Sequence, residues 1–242
     1  MSDLNIIFLG TAGAGKSLIT ARFGNWLEKE MGEKPVYINL DPGCESIPYT
    51  PDFDIRNYFT LSELMEKEGL GPNGAMIKAC ELLEKEALEF ARRMNSLKGD
   101  VRIVDTPGQM EVFLFHGGPE ITHLLEGFTV CVFLMDAKIV LQPFGGTFIK
   151  LLGISIGLRM GVSTISALNK VDMVEKEKLQ KALESPQPAE GVLSDLVSHL
   201  SSMLLQFRFP ARIAWVSALT GEGFGELYDL IHETRCACGD LT

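Results

Sequence analysis

Eight consecutive residues constrain this chain more than any other feature. Gly10-Thr11-Ala12-Gly13-Ala14-Gly15-Lys16-Ser17 reads G-x-x-x-x-G-K-[ST], directly after the apolar run NIIFLG and directly before the helical pattern LITARFGNWLEKE. Strand, glycine loop, then helix is the context in which this pattern carries chemistry. Glycines let the backbone wrap closely and aim its amides at an oxyanion, and the helix N-terminus adds a favourable dipole. Gly13, Ala14, Gly15, Lys16, Ser17 and Leu18 are therefore expected to line a phosphate cradle, with Lys16 reaching the β and γ phosphates and Ser17 ligating Mg2+. The loop implies binding of a nucleoside polyphosphate.

The rest of the chain repeats the alternation that the loop begins. Short β-branched or apolar runs at 5–10, 35–40, 101–105, 129–136, 162–169 and 212–218 are separated by helical patterns. Nearly continuous apolar runs are expected of strands covered on both faces. The pattern predicts an α/β chain with the three-layer P-loop NTPase fold, a mostly parallel sheet with helices on both faces and ligands at the carboxyl ends of its strands. The motifs span nearly all 242 residues, so residues 1–242 are expected to form one domain, enlarged by a helical insertion at about 52–100 after the second clear strand. Within it, 61–69 and 75–94 read as helices. Met76, Cys80, Leu83, Ala87, Phe90 and Met94 recur at alternating spacings of four and three, a helix-helix seam. Such a seam either packs on its own domain or faces another subunit. The segment SPQPAEG at 185–191 reads as a surface loop between helices.

Charge and cysteine usage bound the partners. With 22 Lys+Arg against 32 Asp+Glu the net charge is -10, which opposes the phosphate neutralisation behind most nucleic-acid affinity. No direct nucleic-acid ligand is expected. The five cysteines are odd in number, and three are widely scattered, unlike a secreted framework. Cys236 and Cys238 read as two thiols, or a surface disulfide, in preference to zinc ligands. The N-terminus lacks a basic region and reads as a buried strand, not a signal peptide. The longest apolar stretch, at 128–135, is too short to span a membrane. A cytoplasmic protein without a membrane partner is expected.

Three further motifs follow the loop in order. Asp105-Thr106-Pro107-Gly108-Gln109 begins where the strand VRIV ends, so Asp105 can hold the metal directly or through water, Gly108 can offer an amide to the γ-phosphate, and Gln109 can orient an attacking water. Asn169-Lys170-Val171-Asp172 reads N-K-x-D. A carboxylate at Asp172 accepts hydrogen bonds from the N1 and N2 donors of guanine, which adenine lacks. Asn169 would brace the base pocket and Lys170 would lie along the ring. Ser217-Ala218-Leu219, past the last apolar run, resembles the backbone clamp on the guanine carbonyl.

The chain thus looks like a G-domain GTPase, with two departures. About sixty residues separate Asp41-Pro42-Gly43 from Asp105, and Gly71-Pro72-Asn73 falls in the loop between the two expected helices of that stretch. Placed between an N-L-D-P segment and D-T-P-G-Q, this tripeptide closely resembles the GPN-loop GTPases, over essentially the whole chain. The resemblance implies a homodimer in which the Gly71, Pro72 and Asn73 loop of each subunit enters the other's site near the γ-phosphate. Asn73 would then donate to the phosphate in trans, Gln109 would position the water, and Asp41 would assist with the metal or water. The cofactor implied is Mg2+, with GTP as substrate and GDP as product. This chain reads D-P-G where D-P-A is the commoner family form, and Thr11 stands where related deviant phosphate loops carry a second lysine. With a dimer implied, the seam is read as facing the other subunit.

The resulting reading is a Mg2+-dependent, GTP-hydrolysing homodimeric switch that presents a surface to client proteins. An alternative is an assembly or chaperone-like binding protein in which GTP is mainly structural, since the resemblance also implies RNA polymerase assembly. A small-molecule phosphotransferase is disfavoured because N-K-V-D has no role in one.

Overall fold

A computed structural model describes residues 4–184, 192–206 and 213–239. Seven strands form one sheet among these residues: β1 (Leu4–Gly10), β2 (Pro35–Asn39), β3 (Phe53–Asp54), β4 (Val101–Asp105), β5 (Phe128–Asp136), β6 (Ser163–Asn169) and β7 (Ala214–Trp215). Their order is β3-β2-β4-β1-β5-β6-β7, and every pairing is parallel. Parallel strands need crossover connections; residues 40–52 make the one from β2 to β3 without a helix, and the others run through helices. The helices are α1 (Lys16–Trp26), α2 (Leu61–Glu68), α3 (Pro72–Lys85), α4 (Ala87–Ser96), α5 (Met110–Phe115), α6 (Gly118–Leu124), α7 (Ala137–Val140), α8 (Gly145–Met160), α9 (Lys176–Glu184), α10 (Val192–Gln206) and α11 (Phe224–Gly239).

Alternation along β1 shows how the strands serve two cores. Ile7 and Leu9 point into one apolar cluster, shared with α3, α4, α5, α6 and α8, while Leu4, Ile6 and Phe8 point into another, shared with α1 and α11. In the second cluster Phe23 of α1 meets Phe8, Trp26 and Phe224 at centroid distances of 6.1, 5.7 and 5.3 Å. Burying an aromatic side chain this fully contributes roughly 1.5–3 kcal/mol. Strand order reverses around β1, which opens a crevice at the carboxyl ends of β1, β4 and β5.

The insertion departs from expectation in three ways. It opens with an edge strand, β3, paired through Ile38↔Phe53 and Asn39↔Asp54, so the sheet gains a seventh member. The expected helix over 75–94 is two helices broken at Glu86, which leaves helical geometry at ψ 13°. Its seam also faces inward. Met76, Cys80, Leu83, Ala87, Phe90 and Met94 are all buried within this one chain, so the alternating spacing marks packing on its own domain and not a face held open for a second subunit. Helix α2 starts with a Thr60/Glu63 capping box and stops at Gly69, whose φ of 64° is left-handed. Residues 185–191 and residue 212 of the last apolar run lie outside the described residues, as do the side chains of Cys236 and Cys238. No helix among the described residues is long and apolar enough to cross a membrane.

Candidate functional site

All four motifs arrive at one edge because parallel strands end together. The register pairs Phe8↔Asp105, Gly10↔Leu134, Asp136↔Asn169 and Leu168↔Trp215, so each strand delivers its following loop to the same crevice.

The phosphate loop folds through two left-handed glycines, Gly13 (φ 76°) and Gly15 (φ 94°), and Gly15 caps α1. Lys16 begins the helix and turns back under the loop, where Nζ donates to the carbonyls of Gly10 (2.9 Å) and Thr11 (3.3 Å). Burial pulls its pKa down, while the charges of Asp105 and Asp41 pull it up. An ammonium so enclosed, with carboxylates nearby, is matched to a polyanion entering over the loop. Ser17 and Leu18 follow on the first turn of α1.

Asp105 ends β4 fully buried, and its Oδ1 has no hydrogen-bond partner among the described residues. Desolvation pushes the carboxyl up to about 6, against the Ser17 and Tyr49 hydroxyls and the Lys16 charge. A buried carboxylate oxygen left over beside a serine hydroxyl fits a hard cation such as Mg2+, which takes one or two protein oxygens and keeps phosphate and water as its other ligands. Thr106 Oγ1 donates to the Phe8 carbonyl at 2.8 Å and locks the turn to β1. Asp41 follows β2, and burial raises its pKa too, against the Gly43 and Gly108 amides and Lys16. The Gly43 amide donates to Asp41 Oδ1 at 2.9 Å. Asp41 therefore sits between the phosphate loop and Gly108.

The base end is organised by Asn169. Its Nδ2 donates to the Ala14 carbonyl at 2.8 Å and its Oδ1 accepts from the Ala218 amide at 2.9 Å, so one side chain joins the phosphate loop to the Ser217-Ala218-Leu219 loop. Gly15 makes this possible, because a Cβ there would stand 2.4 Å from Asn169 Nδ2. Ser217 is buried and its Oγ accepts from the Thr220 amide, while Leu219 is exposed. Lys170 adopts φ 66° and pairs with Asp136 Oδ2 at 2.7 Å. Asp172 follows on a short turn and is exposed.

Gln109 is the N-cap of α5, and its Nε2 donates to Asn73 Oδ1 of the same chain at 2.8 Å. The tripeptide is less of a loop than its composition implied. Gly71 is the N-cap of α3 and Pro72 its first residue, where a missing amide and a fixed φ cost nothing. Gly71, Pro72 and Asn73 are exposed at the tip of that helix.

A family profile described as "Conserved hypothetical ATP binding protein" matches residues 8–237. The GPN-loop GTPase PAB0955 of Pyrococcus abyssi is 37% identical over 250 residues, covering 98% of this chain and 99% of that protein. The chain belongs to the GPN-loop GTPase family. GPN-loop GTPase 1 of Dictyostelium discoideum is 32% identical over 242 residues, covering 94% of this chain but only 60% of that longer protein. The crystal structure of PAB0955, described as a GTPase in apo form, superposes with a TM-score of 0.85 at 32% identity, covering 98% of this chain and 100% of the other.

Three residues of this GPN-loop chain bear on the site although the sequence did not mark them as site residues, Asn39 among them as the first residue of the N-L-D-P segment. Asn39 Oδ1 accepts from the Asp41 amide (3.1 Å) and its Nδ2 donates to Asp54 Oδ1 (2.9 Å), while Arg56 grips Asp54 through Nε and Nη2. This anchors Asp41 to the edge strand. Asp136 holds Lys170, and its place at the end of β5 was the available signal. Tyr49 reaches Asp105 Oδ2 from a turn-rich segment that carries no pattern.

Proposed function

We propose that the chain binds GTP with Mg2+ and hydrolyses it to GDP and phosphate, working in the cytoplasm as one domain and as a homodimeric switch for client proteins. The observation that carries this reading is the pair of hydrogen bonds made by the Asn169 side chain, which ties a phosphate loop to a guanine-type base loop at the carboxyl edge of the sheet. The profile's description speaks of ATP, but a carboxylate at Asp172 complements the two donors of guanine and offers adenine no such match.

Ser17 and Asp105 would hold the metal, with Asp41 assisting. When bound, Mg2+ neutralises charge on the β and γ phosphate oxygens. Lys16 leaves the Gly10 and Thr11 carbonyls for the phosphates, and the loop amides take up the charge that develops on the γ-phosphoryl group. Gln109 orients the attacking water, and Asp41 and the Gly108 amide close the γ-phosphate end.

Asn73 is assigned two positions. In one subunit it holds the Gln109 amide, and in the dimer the Gly71–Asn73 tip of each copy enters the other's site. Exchange of Asn73 between these positions would release Gln109 for water when two copies meet. The test is hydrolysis by the purified chain with GTP or ATP, with and without Mg2+, over a range of protein concentrations. GTP-selective, Mg2+-dependent turnover that rises with dimer fraction is expected; equal use of ATP, or a rate independent of the metal, contradicts the reading.

A further inference from the structure

The turn-rich segment between Asp41 and β3 delivers one side chain to the carboxylate assigned to the metal. Tyr49 Oη donates to Asp105 Oδ2 at 2.9 Å, and its ring stacks on Tyr37 of β2 with centroids 5.3 Å apart and planes 26° from parallel. Tyr37 is itself fixed on both sides. Its amide donates to Asp52 Oδ2, its carbonyl accepts from the Asp52 amide, each at 2.8 Å, and Gly24 of α1 makes room for its ring, since a Cβ there would stand 2.4 Å from Tyr37 Oη. A rigid path thus runs from α1 through two stacked rings to Asp105.

The two carboxylate oxygens are treated differently. Oδ2 is committed to Tyr49, while Oδ1 is buried with no hydrogen-bond partner among the described residues. The terminal torsion of an aspartate is soft, so a carboxylate at a strand end needs a second contact to present one chosen oxygen. A phenolic hydroxyl facing a carboxylate oxygen can only be the donor of the pair, so the contact runs from Tyr49 to Asp105. Partners of this kind around a ligating carboxylate govern how well a cation binds.

We propose that Tyr49 is a positioning residue for the divalent cation, pinning Asp105 through Oδ2 so that Oδ1 is held toward the metal or its bound water beside Ser17. The proposal rests on the assignment of Asp105 and Ser17 to the metal. It differs from a reading of Tyr49 as a plug, in which the hydroxyl competes with the cation for Asp105.

Tyr49→Phe keeps the ring and its stack on Tyr37 and removes only the hydroxyl. Binding of a fluorescent GDP analogue is followed in EDTA and then as a function of free Mg2+. Affinity in EDTA is expected to stay within about twofold of wild type, which also reports that the site is folded, while the Mg2+ midpoint rises about tenfold, the lower end of the loss usual for such contacts. An unchanged midpoint, or tighter Mg2+ binding as a plug requires, overturns the proposal. Asp105→Asn on the same titration separates the two levels. If it shifts the midpoint and Tyr49→Phe does not, only the role of Tyr49 fails; if neither shifts it, the metal assignment fails as well.

Discussion

Gln109 and Asn73 meet inside a single subunit, the Gln109 Nε2 amide donating to Asn73 Oδ1 at 2.8 Å across 36 positions of sequence. The side chain proposed to orient the water and the asparagine of the Gly-Pro-Asn tripeptide are therefore neighbours before any second copy is present.

Asn73→Ala is expected to slow single-turnover GTP hydrolysis by at least about tenfold, a modest loss beside that of a full oxyanion donor, with GDP affinity nearly intact. Mixing tells which subunit's site Asn73 serves. Combined with a Lys16→Ala chain, which cannot grip phosphate, the Asn73→Ala chain keeps an intact Lys16 and receives the partner's Asn73. Recovery of activity on mixing is expected for action in trans; no recovery assigns Asn73 to its own subunit.

Gly15 and Gly13 separate two costs that a glycine can relieve. Both have positive φ, but a Cβ at Gly13 meets nothing within 4 Å among the described residues, whereas one at Gly15 would stand 2.4 Å from Asn169 Nδ2. Gly13→Ala should cost the nucleotide-free protein roughly 1–2 kcal/mol for the left-handed backbone alone. Gly15→Ala should cost more, because the Asn169 bridge must also move. Urea denaturation of the two variants checks the order, and equal losses would show that the bridge contributes nothing to stability.

Asp105 makes a pH prediction with a definite sign. Its carboxyl sits at about 6 in the fold against an ordinary 3.8, so the folded state holds the proton more tightly than the unfolded chain. Its contribution to nucleotide-free stability is greatest below about pH 4 and is lost as the pH rises to about 6. Asp105→Asn lacks this dependence. The stability of wild type minus that of the variant, from urea midpoints between pH 4 and 7, is expected to fall with pH, and a rise contradicts the assignment.

Legibility in the sequence followed burial and position. Strands β1, β4 and β5 were plain because both their faces are covered, which writes an unbroken apolar run. Phe53–Asp54 was not, since two residues carry no period and their pairing is secured by side-chain contacts through Asn39 and Asp54. The seam from Met76 to Met94 showed that a face is buried, yet periodicity does not tell what buries it, and here the chain itself does. Lys16, Asp105, Asn169 and Asp172 were legible because each motif follows a strand end, where a parallel sheet gathers its loops. Tyr49 acts through the folded path of an irregular segment, where a single polar residue has no spacing to announce it, while Asn39 ends β2 and its hold on Asp41 and Asp54 exists only once β2 and β3 pair.

The most direct test of the central claim is the nucleotide preference of Asp172→Asn. If Asp172 accepts from the N1 and N2 donors of guanine, the amide should lower GTP affinity about 100-fold, the effect of two charge-assisted hydrogen bonds partly screened at an exposed site. It should at the same time favour xanthosine triphosphate, whose 2-oxo group accepts from the new amide. Equilibrium binding of both nucleotides to wild type and variant decides it. A crossing of the two preferences is the expected result, and an unchanged affinity for GTP would contradict the guanine site on which the functional reading stands.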